Sequence, residues 1–366
     1  MAKICVVTDF DETGSGYKNI CIPLLTGLAN EGHEIKVAGF QYKGSEHRYP
    51  FSLIPAENLR DQLIITRNLV ASWTPDVILV AMDIPIQQYF HENLQDLLKG
   101  DKDHKPIKYI AITPLENGPL TMSWAAVLLN MDAVFFISEL GKQEALKAGI
   151  SQAEHLLVGV DTVLWHPATP AERSQLRKGL GIGEDEFVVL TVADNQERKN
   201  LWAGMEAMKL LKDSNVGWKL NDLAFELGIM KEFMTFNRGL PQNDLWGLYA
   251  ISDAYLQPSK AEGLGMPVLE AMACGVPCVA TDTGALTELL EEDRGFLIRP
   301  AYTFRDVWGN SKRDMINTEQ TAYVLWEISL MESSDIPSKA LDFVRSKTWD
   351  IPVKQLDSKI KELTNE

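Results

Sequence analysis

Glu262 and Glu270 stand eight positions apart in the segment EGLGMPVLEAMACGVP, which runs from Glu262 to Pro277. A glycine-bearing loop separates them and leads into helix-forming sequence. Pro267 suits the first helical position, because its fixed φ fits a helix and no N–H is needed there. Gly275 and then Pro277 supply the stop. The backbone amides of Gly263, Leu264, Gly265 and Met266 are thus expected at a positive helix end, where phosphate is well bound. A carboxylate beside phosphate needs another partner, and a vicinal diol can donate both hydroxyls to one carboxylate. The residues read as a nucleotide site, with phosphate on the amides and ribose on Glu270. Glu262, ahead of the helix, would sit at the mouth of the loop facing a hydroxyl-rich group. The plainer alternative is an amphipathic helix with two solvated acids.

Two further segments favour the first reading. Asp194-Asn195-Gln196-Glu197-Arg198-Lys199-Asn200 follows an apolar strand, and ligands bind at strand C-termini in parallel sheets. Arg198 and Lys199 there could neutralise a diphosphate; the alternative is a solvated helix start. Gly14-Ser15-Gly16 follows the first strand and lets backbone approach a phosphate or another substrate closely. As a dinucleotide fingerprint it fails. Asn19 replaces the third glycine, and the second strand ends in Gly39-Phe40-Gln41 without an acid for the ribose.

Other candidates for chemistry are weaker. Asp9, Asp11 and Glu12 follow the first strand, Asp83 ends another, and Glu116 follows KYIAITPL. Asp101-Lys102-Asp103 has a D-x-D pattern but lies in a charged, solvated run. His33, His104, His155 and His166 lack ligand spacing and read as surface or boundary residues. Cys274 and Cys278 have no second pair to complete a tetrahedral metal site, so all four cysteines read as buried thiols of a reducing cytoplasm.

The elements that must position these residues alternate between strand and helix. At 366 residues, with 45% apolar and 23% charged content, the chain is expected to be soluble with two Rossmann-sized domains. No apolar run reaches the ~18 residues of a membrane span, and the N-terminus leads straight into a strand without a signal peptide. The net charge of −16 opposes general nucleic-acid or anionic-membrane binding. ICVVTDF, EIKVAGF, DVILVAM, KYIAI and AVFFI read as buried parallel strands of a first domain, 1–165. FVVLTVA, AYLQP and PCVAT continue the pattern in a second, 166–346, beyond the junction at Trp165-His166-Pro167. The tail, 347–366, has a helical pattern suited to packing back across the junction. Between the helices around Asn215 and Val216 a doubly wound domain wants a strand, and none is visible there.

The segment SDAYLQPSKAEGLGMPVLEAMACGVPCVATDTGALTELLEEDRGFLI resembles the signature region of glycosyltransferase family 4, retaining enzymes of the GT-B fold. NQERKN is similar to that family's donor-phosphate loop, ISELGKQEALKAG to its interdomain helix region and GVDTVLWHP to its linker. KTWDIPVKQLDSKI resembles the crossing C-terminal helix. The resemblance implies an α/β fold of two Rossmann-like domains facing each other across a cleft, with the last helix returning to the first domain. It also implies metal-independent transfer of a sugar from a UDP-, GDP- or ADP-sugar to a hydroxyl of a glycan, lipid or protein, with a modified nucleobase left open as acceptor. Glu262 would contact the sugar and Glu270 the ribose. Leu264, Gly265 and Met266 would meet the sugar or diphosphate, and Arg198 and Lys199 the leaving group. Gly14 and Gly16 would approach the phosphates from the first domain as the cleft closes. The chain departs from the family pattern at Asp194, where many members carry Arg. It departs again at Thr113–Gly118, where many have a His; Glu116 or Asn117 would take over contacts to sugar or acceptor. Backbone near Gly239 and Leu240 would meet the base. A sugar-nucleotide epimerase and a non-catalytic nucleotide-sugar binding protein remain as alternatives.

Overall fold

A seven-stranded parallel sheet organises the first half of the chain. Its strands are β1 (Lys3–Asp9), β2 (Glu34–Phe40), β3 (Ser52–Ala56), β4 (Val77–Ala81), β5 (Lys108–Thr113), β6 (Ala133–Phe136) and β7 (Ala153–His155). The order is β3-β2-β1-β4-β5-β6-β7. Every residue of β4 and of β6 is buried, as continuous apolar runs are when helices cover both faces. Those helices are α1 (Gly16–Asn30), α2 (Leu59–Trp73), α3 (Ile84–Leu98), α4 (Met122–Leu128) and α5 (Glu139–Lys147). Strand order reverses between β1 and β4, so the loops that follow them part there and leave their ends open to a ligand. The β2-to-β3 crossover contains no helix. Aromatic rings gather there instead: Tyr49 stacks on Phe51 at 5.1 Å and on His47 at 5.0 Å, and Phe10 meets Tyr42, Tyr49 and Phe51 edge-on.

This computed structural model describes residues 1–100, 105–210, 224–236, 238–307, 311–331 and 334–365. The Asp101–Asp103 run, His104 and the strand question at Asn215–Val216 lie outside them. The chain divides into two compact units, Met1–Gly159 with Lys347–Glu366, and Val160–Ser346. The break falls ahead of the expected 165/166 junction because Trp165 packs edge-on against Tyr249, 5.6 Å away inside the second unit.

The second unit begins with α6 (Pro170–Leu180) and a short β8 (Val189–Leu190), then a 3₁₀ turn (Glu197–Lys199) and α7 (Leu201–Leu210). It continues through α8 (Gln242–Ile251), β9 (Ala254–Gln257), α9 (Met266–Ala273), β10 (Cys278–Thr281), α10 (Gly284–Leu290) and β11 (Phe296–Ile298). The antiparallel hairpin of β12 (Pro300–Arg305) and β13 (Lys312–Ile316) follows, then α11 (Thr318–Ser329) and α12 (Ile336–Arg345). The parallel sheet runs β11-β10-β9-β8. Only two residues of the expected strand FVVLTVA pair with β9. Their register is set from α6: the buried Arg177 donates to Asp253 at 2.6 Å and to the carbonyls of Gly183, Glu186 and Ile251, while Val188 N–H donates to the same carboxylate. A charge so buried is tolerable only because it is paired and fully hydrogen-bonded.

The last helix, α13 (Asp350–Thr364), belongs to the first unit and packs on α1. Gln355 Nε2 donates to the His155 carbonyl at 2.9 Å and Lys359 pairs with Glu154. His33, read from the sequence as a surface or boundary residue, is 5% exposed. Its Nδ1 accepts from the Ala2 N–H, so its Nε2–H donates to Asp357 on α13 at 2.8 Å. No helix among the described residues is long and apolar enough to cross a membrane.

Candidate functional site

The Glu262–Glu270 segment connects β9 to α9 in the second unit. Helix α9 begins at Met266, which puts Pro267 at its second position and not the first. Either position lacks an intrahelical acceptor for the N–H, so proline costs nothing. Gly265 precedes the helix with φ 93° and no side-chain cap. That positive φ is what favours glycine here; a Cβ would also come within 2.9 Å of Leu286 Cδ2, which would have to shift. Among the described residues the backbone N–H groups of Gly263, Leu264, Gly265 and Met266 make no hydrogen bond. Four uncommitted donors at a helix start are suited to an anion.

Glu262 is not at an open mouth. It is 5% exposed, and both carboxylate oxygens are engaged. Oε1 accepts from Lys199 Nζ at 2.5 Å, Ser259 Oγ at 2.7 Å and Gln257 Nε2 at 3.1 Å; Oε2 accepts from Arg198 at 3.1 Å. Burial works to raise its pKa, but Lys199 and Arg198 outweigh it and hold the carboxyl below the ordinary carboxylate value. The loop and the 3₁₀ turn are laced by backbone as well. Lys260 N–H donates to the Arg198 carbonyl at 2.8 Å, and Asn200 Nδ2 to the Pro258 carbonyl at 3.1 Å. Lys260 Nζ pairs with Glu197, so Glu262 and Glu197 together engage Arg198, Lys199 and Lys260.

Glu270 lies one turn inside α9, equally buried at 5% but differently partnered. Its Oε2 accepts from the Tyr249 hydroxyl at 2.8 Å. Burial pushes its pKa up to about 7, against the lowering effect of that hydrogen bond. Leu264 is buried, and Leu240, just ahead of α8, is half-buried. Sequence reading missed Arg238, whose Nε meets Asp194 at 3.2 Å. Its only signal in the chain is a cation two residues before Leu240.

Gly14, Gly16 and Glu116 belong to the first unit. Gly14 has φ 122°, and a Cβ on either glycine would meet nothing within 4 Å. The glycine loop carries its own anions, however. Asp9 accepts from the Asp11 N–H and from Ser15 Oγ, and Asp11 from the Thr13 N–H and hydroxyl. Carboxylates so placed suit hydroxyl groups better than phosphate. Glu116 is half-buried near Tyr17, whose hydroxyl donates to Asp83 at 2.7 Å and whose pKa burial raises well above its ordinary value, with Asp83 and Glu116 adding to the shift.

Comparison with known proteins takes this geometry further. Residues 172–303 match the family model of glycosyl transferases group 1. A GDP-mannose-dependent alpha-(1-6)-phosphatidylinositol monomannoside mannosyltransferase of Mycolicibacterium smegmatis is 33% identical over 180 residues, 43% of this chain and 46% of that protein. The N-acetyl-alpha-D-glucosaminyl L-malate synthase of Bacillus anthracis is 30% identical over 34% of this chain and 35% of its own length. The chain spans less than half the length of these curated relatives. Solved structures match throughout. Sucrose-phosphate synthase from Thermosynechococcus elongatus superposes with a TM-score of 0.77 at 16% identity, covering 100% of both chains. Anabaena HepE in complex with UDP and glucose gives 0.73 at 16%, covering 99% of this chain and 100% of that one. The fold defines the class: an α/β protein of two Rossmann-like domains, the GT-B fold of glycosyltransferases. The residues that match the group 1 model, 172–303, include Glu262, Glu270, Arg198 and Lys199.

Proposed function

We propose that the chain transfers a sugar from a nucleoside-diphosphate sugar to a hydroxyl acceptor, with retention at the anomeric carbon and without a metal. The observation that carries this reading is the row of uncommitted amides at Gly263–Met266, set between Glu270 and a carboxylate that holds two cations. The bond from the anomeric carbon to the diphosphate breaks, and a bond from that carbon to the acceptor oxygen forms on the same face. The acceptor proton passes to the departing phosphate oxygen. Negative charge that builds on this oxygen meets the amides of Leu264, Gly265 and Met266, with Lys199 and Arg198 beside them. Glu262 keeps those cations in place, and Glu270 receives the ribose diol. The glycine loop with Gly14 and Gly16, and Glu116, offer hydrogen-bond acceptors to hydroxyl groups. Backbone near Leu240 meets the base. The relatives named as GDP-mannose-dependent and the HepE complex with UDP support a nucleotide donor and leave its base to experiment. Four free, buried cysteines support a reducing, cytoplasmic setting.

The test is turnover of UDP-, GDP- and ADP-sugars with and without a panel of hydroxyl acceptors. Acceptor-dependent release of the nucleoside diphosphate is expected, with about 100-fold loss on Lys199→Ala. Conversion of the donor sugar with no acceptor present would instead indicate an epimerase. Binding without any turnover would indicate a non-catalytic sugar-nucleotide protein.

A further inference from the structure

Charge at this corner of the second unit is closely balanced. Among the described residues three carboxylates, Asp194, Glu197 and Glu262, pair with four cations, Arg198, Lys199, Lys260 and Arg238. Ionised Glu270 would add a negative charge. A nucleoside diphosphate brings several negative charges into a protein whose net charge is already −16. Arg198 and Lys199 are shared with Glu262, so their charge is partly spoken for before any donor arrives.

The geometry points to Arg238 as a phosphate-binding residue for the donor, held in place by Asp194. This rests on the nucleotide-sugar reading above. Asp194 and Arg238 are 43% and 49% exposed and meet at 3.2 Å. An ion pair so exposed contributes little to stability, so its guanidinium can turn to a ligand at small cost to the fold. Asp194 sits five residues before Lys199, on the segment that delivers both paired cations, so the pair brings a guanidinium from a distant loop to the same strand end. A guanidinium can form paired hydrogen bonds to phosphate oxygens, and tethering it to a carboxylate limits the side-chain freedom lost on binding. Residue 194 itself contributes the wrong sign for a phosphate. Its value to the site lies in the cation it positions.

The test is calorimetric titration of the wild-type chain, Arg238→Ala and Arg238→Lys with UDP, GDP and ADP and with the matching nucleosides. For the diphosphate that wild type binds, Arg238→Ala is expected to lose about tenfold or more in affinity, as charge-assisted bonds to phosphate disappear. Nucleoside affinity and the thermal midpoint should not move, and Arg238→Lys should recover part of the loss. Unchanged diphosphate affinity in Arg238→Ala would overturn the assignment alone. Equal weakening of diphosphate and nucleoside would overturn it too, because the contact would then be to base or ribose. A wild-type chain that binds none of the diphosphates would overturn the functional reading, and this assignment with it.

Discussion

Glu262 and Glu270 are equally buried, yet their carboxyls shift in opposite directions, because one is surrounded by cations and the other by a single hydroxyl. Burial raises Glu270 from 4.5 to about 7. The folded chain therefore holds that proton where the unfolded chain releases it, and the stability this gives is lost as pH rises through about 7. Binding of a ribose diol follows the opposite sign, since the ionised carboxylate is the better acceptor. Nucleoside-diphosphate affinity, taken as the ratio of wild type to Glu270→Gln so that ionisation of the ligand cancels, is expected to rise about tenfold between about pH 6 and about pH 8. A flat ratio by titration calorimetry would exclude Glu270 from the ribose contact. Its place one turn into a helix was legible because Gly265, Pro267 and Gly275 act locally, within a few residues. The commitment of Glu262 to Arg198 and Lys199 was not, because it joins segments more than 60 residues apart that only the sheet brings together. Arg238 was hidden for the same reason: nothing near it in the chain announces Asp194.

Among the elements, the C-terminal helix makes the most testable contact. Gly27 lies in the middle of α1, where alanine would ordinarily stabilise a helix by roughly 1 kcal/mol. Here a Cβ would press into both methyl groups of Val353 on α13. Gly27→Ala is therefore expected to destabilise the chain by about 1–3 kcal/mol in denaturant unfolding, as overpacking does. Adding Val353→Ala should return most of that loss; a double variant no better than the single one would show that α13 does not lie on this face. The helical pattern of that tail and the apolar runs of β1, β2, β4, β5, β6, β9 and β10 could be read from the sequence, since buried parallel strands leave an unbroken apolar signature. Two kinds of element escaped. β3 and β7 are short edge strands with mixed burial, and the β12–β13 hairpin is largely exposed, so neither has an apolar run to betray it. β8 is shorter than its apolar run because only two of its residues find a partner in β9.

For the molecule as a whole, the proposed chemistry rests on the second unit, where residues 172–303 match the group 1 model, and the charge of −16 constrains how it would work. An anionic ligand must be held by local donors against the general field, and the proposed donors are the amides of Gly263–Met266 with the cations around Glu262. The central claim is that this loop binds a nucleoside diphosphate. Titration of UDP, GDP and ADP into the wild-type chain and into Glu270→Ala at about pH 8 tests it most directly. At least one diphosphate should bind the wild type, and Glu270→Ala should weaken it about tenfold or more, as the loss of charged hydrogen bonds to a diol requires. Absence of binding by all three, or equal affinity in the variant, would contradict it.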